Sequence, residues 1–155
     1  MKSAIAGLLL TLAAAGSVSA AEVEESVVLD SSVKTVWKLV GNFNGINQWH
    51  PAVSESVQEG DVRILTLRDG GAIIRETRTL QDDTAHFYRY HMDQSPLPVA
   101  DYNAEIRLEA IANNKTRMIW SSRFMAVGVS DAEAEQIIRG VYRSGMNNLA
   151  RRFNH

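Results

Sequence analysis

The sequence contains no cysteine, and this absence removes several classes of function at once. Disulfide bonds, thiolate catalysis and cysteine-ligated metal are excluded, so the fold depends on packing alone. An excess of charge of one sign is also lacking, because the net formal charge is only −2 and both signs are scattered along the chain. Nucleic-acid binding needs a basic surface, which this composition does not provide.

Sequence motifs of several enzyme classes are missing as well. There is no Gly-x-Ser-x-Gly nucleophile elbow, no glycine-rich phosphate loop and no His-Glu-x-x-His zinc motif. His86 and His91 are spaced so that, on one predicted strand, their side chains point to opposite faces, and His155 is terminal. We therefore predict no metal site and no cofactor.

Residues 1–20 have the three-part pattern of a secretory signal peptide. Lys2 precedes an apolar run over 4–15, and small residues lead to Ala20, after which we place the cleavage site. A membrane anchor is the alternative, but the run is shorter than the ~20 residues that span a bilayer. The lack of cysteine excludes a lipid-anchored lipoprotein. We predict a periplasmic or secreted protein without a membrane anchor, in which residues 21–155 form one domain.

Hydrophobic spacing in residues 21–155 predicts an α+β domain. Period-two alternation marks the strands, and two helices follow serine N-caps at Ser32 and Ser130. The Asp69-Gly70 turn and the loop 95–98 predict two hairpins. The predicted order is strand 23–29, helix 33–40, a turn-rich connection 43–51, strands 62–67, 72–80, 85–92, 102–110 and 116–126, and a long helix from Asp131.

Alternation also indicates which side chains share a face of the sheet. Tyr88 and Tyr90 fall together, as do Met118 and Trp120, whereas polar neighbours such as Arg117 point the other way. One face is therefore predicted to be buried and the other exposed. We expect a strongly curved antiparallel sheet of about six to seven strands, with the long C-terminal helix enclosing a space against it.

Large side chains at predicted inward positions favour a ligand pocket. They combine aromatic rings with a few polar groups, which is typical of a site for a partly apolar small molecule. Core packing is the alternative for each residue taken singly. The candidate ligand-binding residues of this kind are Trp49, Tyr88, Tyr90, Tyr102, Trp120, Phe124, Tyr142 and Met146.

Two polar residues are further candidates for the site. Glu76 alternates in phase with Ile74, which places its carboxylate on the inward face. There it needs a partner such as Arg63 or a tyrosine hydroxyl, or a raised pKa. It is either a ligand anchor or general base, or one half of a structural ion pair. His50 lies in the turn-rich connection and is either an acid, base or hydrogen-bond donor at the pocket mouth, or a brace for its loop.

Gly140 and Gly145 interrupt the long helix, where each costs about 1 kcal/mol relative to alanine. They either make room for a ligand or let the helix lie close to the sheet. The sequence leaves both interpretations open.

Short motifs are distributed in order along nearly all of residues 21–155. They are Val36-Trp37, Gly41-Asn42-Phe43, Trp49-His50-Pro51, Gly60-Asp61-Val62-Arg63, Leu65-Thr66-Leu67, Asp69-Gly70-Gly71, Ile74-Arg75-Glu76, Tyr88-Arg89-Tyr90, Leu97-Pro98-Val99, Tyr102, Trp120 and Gly140-Val141-Tyr142. This series resembles the SRPBCC superfamily, which includes START lipid-transfer domains, birch-pollen-allergen-like proteins and the polyketide cyclase/dehydrase group. The resemblance implies a helix-grip fold, with short helices after the first strand.

The resemblance leaves three functional hypotheses. The first is periplasmic binding of a small hydrophobic or aromatic molecule in an internal pocket, without catalysis. The second is an accessory role for a periplasmic oxidoreductase, because the chain is similar to periplasmic members linked to methanol oxidation; it would use the Trp49 loop or the loop 95–101. The third is an enzyme of the polyketide cyclase/dehydrase type, with Glu76 and His50 as its acid/base pair.

Overall fold

The structure, a computed structural model, describes residues 19–155. The predicted signal peptide lies almost entirely outside the described residues. The elements are β1 Ala21–Leu29, α1 Val33–Val40, a 3₁₀ helix Phe43–Gln48, β2 Val53–Glu59, β3 Val62–Leu67, β4 Ile73–Asp82, β5 Phe87–Gln94, β6 Val99–Ala112, β7 Lys115–Ala126 and α2 Asp131–Phe153.

The seven strands form one antiparallel sheet in the order β1-β7-β6-β5-β4-β3-β2. Register shifts interrupt the ladders in β4 beside Glu76 and in β6 beside Asp101, whose φ is 49°. Bulges of this kind bend a strand and increase its twist. The α+β helix-grip architecture, with a curved sheet and a long C-terminal helix, is therefore confirmed.

Both predicted serine caps are confirmed. Ser32 accepts a hydrogen bond from the Thr35 amide at 3.2 Å, and Ser130 accepts one from the Glu133 amide at 3.2 Å. Each satisfies an amide that has no partner within its own helix. In the residues 19–155, neither helix combines the length and apolarity needed to span a bilayer.

Strand β2 was not among the predicted strands. Its residues, VSESVQE, are mostly polar, and only Val53 is fully buried, so hydrophobic alternation is weak. A two-residue connection, Gly60-Asp61, joins it to β3, and Gly60 has a φ of 59°. Such a left-handed conformation favours glycine and forms a tight hairpin turn. The turn-rich connection also contains a 3₁₀ helix, which Asn42 caps through its side chain.

The predicted start of β5 was wrong. The strand begins at Phe87, and His86 belongs to the preceding turn, with a φ of 55°. Asp82 forms this turn by accepting hydrogen bonds from the amides of Thr84 and Ala85. His86 and His91 therefore do not lie on one strand. Within the described chain, neither belongs to a group of residues that could hold a metal.

Candidate functional site

A cavity of about 390 Å³ lies between α2 and the inner face of the sheet. This volume is within the ~300–1,000 Å³ typical of small-molecule pockets. Most of its wall is aliphatic or aromatic. The lining residues are Ile46, His50, Ala52, Val53, Leu65, Leu67, Ile74, Glu76, Tyr90, Met92, Leu97, Tyr102, Trp120, Ile137, Ile138, Gly140, Val141 and Ser144.

The position of α2 explains why this space exists. The helix packs mainly against β1 at one end of the sheet. Arg139 and Arg143 fix it there through Glu25 on β1, at 3.1 and 3.0 Å. The sheet continues beyond this contact through β5, β4 and β3, and the cavity fills the gap under the other side of the helix.

The two helix glycines have different surroundings. A Cβ at Gly145 would lie 2.8 Å from ring atoms of both Trp49 and His50, so this glycine permits close packing. A Cβ at Gly140 would meet nothing within 4 Å, and Gly140 lines the cavity. Gly145 therefore lets the helix lie close to the connection before β2 rather than to the sheet, and a role of Gly140 in making room for a ligand stays a prediction.

A buried ion pair forms the polar part of the cavity wall. Arg63 on β3 is fully buried and donates from Nε to Glu76 Oε2 on β4 at 2.6 Å. Its Nη1 donates to the Phe43 carbonyl, and the guanidinium lies 4.0 Å from the Phe43 ring centroid. The partner that the sequence analysis proposed for Glu76 is thus present. Arg63 does not line the cavity, so the carboxylate lies between the cation and the open space.

His50 is held through both of its ring nitrogens. Nε2 lies 2.9 Å from the Val141 carbonyl, and Nδ1 lies 3.2 Å from the Ala52 amide. The carbonyl requires Nε2 to carry the proton, while the amide requires Nδ1 to accept, so the ring is neutral. Burial lowers the pKa of His50, and the charge of nearby Arg63 acts in the same direction. The geometry matches a brace between the loop and α2.

An aromatic network closes the end of the cavity nearest β7. Trp120 stacks on Tyr142 with ring centroids 4.2 Å apart and donates from Nε1 to the Tyr90 hydroxyl at 3.0 Å. The hydroxyls of Tyr102 and Tyr142 are hydrogen-bonded to each other. Burial, followed by the charge of Glu76, raises the pKa of Tyr90, so its hydroxyl stays protonated.

The sequence model described as polyketide cyclase / dehydrase and lipid transport matches residues 20–154. The chain belongs to this family. The resemblance to the SRPBCC superfamily is therefore confirmed. No curated protein matches the chain.

Solved structures support the same placement. The protein XoxI from Bacillus cereus is 32% identical, with a TM-score of 0.83, and the match covers 86% of this chain and 95% of XoxI. The Zhui aromatase/cyclase from Streptomyces sp. R1128 is 17% identical, with a TM-score of 0.69, over 86% and 93% of the two chains. A START superfamily protein from Mycobacterium smegmatis is 12% identical, with a TM-score of 0.72, over 86% and 97%. The last two likenesses show the fold alone.

The ten candidate residues divide into two groups of five. Those that line the cavity are His50, Glu76, Tyr90, Tyr102 and Trp120. Those that are buried in the core and do not line it are Trp49, Tyr88, Phe124, Tyr142 and Met146. A ligand-binding role for any of the ten stays a prediction.

Most of the lining that the sequence analysis did not name is aliphatic. On α2, the lining residues Ile137, Gly140, Val141 and Ser144 are spaced i, i+3, i+4 and i+7, which defines one helix face. The spacing was a usable signal, although it does not show whether the face meets protein or a cavity.

A second depression, of about 500 Å³, lies on the outer face of the sheet. Charged residues of both signs surround it and pair with one another, as Arg89 does with Glu105 at 2.7 Å and Arg123 with Glu22 at 3.7 Å. Solvated pairs of this kind are typical of a protein surface. The inner cavity is therefore the candidate site.

Proposed function

We propose that this protein binds a small, largely apolar molecule in the cavity beneath α2, without catalysis. The observation that supports the proposal is the cavity itself, a largely apolar space of about 390 Å³ with a few polar groups in its wall. Pockets of this composition bury apolar ligand surface and orient the ligand through the polar groups. Membership of a family whose description includes lipid transport fits the same function.

The polar groups favour binding over an acid/base reaction. His50 uses both nitrogens for backbone hydrogen bonds, so it would have to break one of them to transfer a proton. Glu76 is paired with the fully buried Arg63. A general base needs a free position close to the reacting proton. The enzyme hypothesis therefore requires a rearrangement of His50, which the binding hypothesis uses as it stands.

The proposal includes export, because residues 1–20 have a signal-peptide pattern. The expected result is a mature protein that begins near Ala21 in the periplasm or medium. N-terminal sequencing of the protein from its own cells tests this. A chain that keeps residues 1–20 in the cytoplasm would contradict it.

Gly140 offers a direct test of binding. We would titrate the wild-type protein with the neutral fluorescent probe N-phenyl-1-naphthylamine and repeat the titration with Gly140→Leu. Gly140 lines the cavity and nothing lies within 4 Å of a Cβ there, so a leucine side chain would occupy part of the space that the probe needs. The probe affinity should therefore fall at least about tenfold. Asn147→Leu is the control, because Asn147 is exposed two turns further along the same helix and does not line the cavity.

The control should bind the probe as the wild type does. Equal affinity in all three proteins would show that the probe binds elsewhere. If the wild-type protein neither binds the probe nor retains a small molecule in native mass spectrometry, the proposal is wrong.

An accessory role for a periplasmic oxidoreductase is the second candidate. Two observations favour it: the sequence resembles members linked to methanol oxidation, and the chain is 32% identical to XoxI. Affinity purification with a tagged protein, compared with a variant whose loop 95–101 is replaced, tests this role. Loop-dependent recovery of a dehydrogenase or cytochrome would support it, and recovery of neither would contradict it.

A further inference from the structure

The charges around the cavity indicate which ligands it accepts. Its lining contains one carboxylate, Glu76, and within residues 19–155 no lysine or arginine joins it. His50 is neutral, because its two nitrogens meet a carbonyl and an amide. In residues 19–155, the one ion-pair partner of this carboxylate is Arg63, which does not itself line the cavity.

The two oxygens of Glu76 have different roles. Oε2 accepts from Arg63 Nε at 2.6 Å, and this is the one hydrogen bond that the described residues make to the carboxylate. Oε1 has no such donor, although the side chain is only 5% exposed and lines the cavity. A carboxylate oxygen in an apolar environment gains considerably from a donor. A ligand hydroxyl in the cavity can provide it.

The ion pair also sets the charge that a ligand can carry. Because Arg63 and Glu76 together are neutral, a neutral ligand leaves the site balanced. A ligand carboxylate would bring a second negative charge beside Glu76, and no lysine or arginine of the described residues reaches the cavity wall to pair with it. Burial of an unpaired charge in an apolar site is very unfavourable.

We propose that the cavity selects neutral, largely apolar alcohols or phenols, whose hydroxyl donates to Glu76 Oε1, and excludes carboxylates of the same size. This inference rests on the proposed binding function and adds the ligand class to it. Glu76 is then the residue that determines specificity, and Arg63 positions it.

Competition experiments test the selection. Decanol, its methyl ether and decanoate would each displace N-phenyl-1-naphthylamine, at a pH well above the pKa of decanoic acid. The ether cannot donate, so decanol should bind at least about tenfold more tightly than the ether, and also than decanoate. Glu105→Gln removes a carboxylate from the outer face of the sheet and should keep this order.

Two variants separate the hydroxyl contact from general hydrophobicity. Arg63→Met/Glu76→Leu replaces the ion pair with apolar side chains, a change that buried pairs often tolerate. In this variant decanol should bind no better than its ether. Glu76→Ala leaves Arg63 without its partner and opens space in front of it. Decanoate should then bind more tightly than decanol and raise the melting temperature of that variant.

Each failure has its own meaning. If the probe does not bind the wild type, the binding function itself fails. If the probe binds but the ether or decanoate competes as well as decanol, the cavity binds ligands and the selection for hydroxyls is wrong. If Glu76→Ala does not fold, the double variant still decides, because a preference for decanol over its ether that persists there would overturn the role of Glu76.

Discussion

The two halves of the inner sheet face differ in how they meet α2. At the β1 and β7 end the helix packs closely on the sheet, where Trp120 stacks on Tyr142. Gly145 also lets the helix approach Trp49 and His50 in the connection before β2. At the β3 to β5 end the same helix borders the cavity. The close packing of one half and the Glu25 ion pairs hold α2 in place. The comparison shows how a cavity can persist beside a well-packed core.

The largest contrast is expected from truncations at the two ends of α2. Leu149→Ala should lower the free energy of unfolding by about 2–5 kcal/mol, because Leu149 is fully buried in the packed half. Ile137→Ala should cost no more than about 1.5 kcal/mol, because Ile137 is half-buried beside the cavity. Chemical denaturation measures both, and equal losses would remove the distinction between the halves.

A smaller loss is expected from Gly145→Ala. The new methyl group would lie 2.8 Å from the Trp49 and His50 rings. Overpacking of this kind costs about 1–3 kcal/mol. This exceeds the gain in helix propensity, which is at most about 1 kcal/mol. A melting temperature at or above that of the wild type would show that the Trp49 and His50 rings can move to accept the added methyl group.

The opposite sign is expected from Gly140→Ala. Nothing lies within 4 Å of the added Cβ, so only the helix propensity changes. We expect a gain of up to about 1 kcal/mol, measured by the same denaturation experiment. A loss of stability would mean that the cavity side is as tightly constrained as the packed side.

The smallest effect concerns His50, which joins the two halves. Burial lowers its pKa below the ordinary value of 6.5, so the unfolded chain takes up a proton before the folded protein does. The stability that depends on neutral His50 is therefore complete above pH 6.5 and decreases as the pH falls towards the lowered pKa. Denaturation across this range should show a weaker pH dependence for His50→Asn. If the stability of His50→Asn depends on pH as strongly as that of the wild type, the lowered pKa of His50 is contradicted.

The sequence predicted those features that depend on alternation along a strand. Glu76 was placed inward by its phase with Ile74, and the cost of an unpaired buried charge made Arg63 one of the possible partners, which the structure confirms. The inward positions of Met118 and Trp120 follow from the same alternation, and both residues are buried. Strand β2 could not be found in this way, because its half-polar edge sequence carries little alternation.

The cavity wall was less predictable for a geometric reason. Alternation assigns a side chain to a face of the sheet, but not to a position beneath the helix. Tyr88 and Tyr90 share one face, yet only Tyr90 lines the cavity, because the wall depends on where α2 crosses a curved sheet. Such a crossing is set by contacts between distant residues, including Arg143 with Glu25.

The location of the tryptophans has a practical consequence for spectroscopy. Of the three tryptophans in the chain, Trp120 lines the cavity. The ring centroid of Trp49 lies 5.6 Å from that of Trp120. Trp37 belongs to α1, where it donates to Asp83 and takes no part in the cavity wall. A bound ligand would therefore alter the fluorescence emission of Trp120, and no attached dye would be needed to detect it. Trp37→Phe would remove the emission of the tryptophan outside the cavity region, so that the remaining emission reports whether the cavity is occupied.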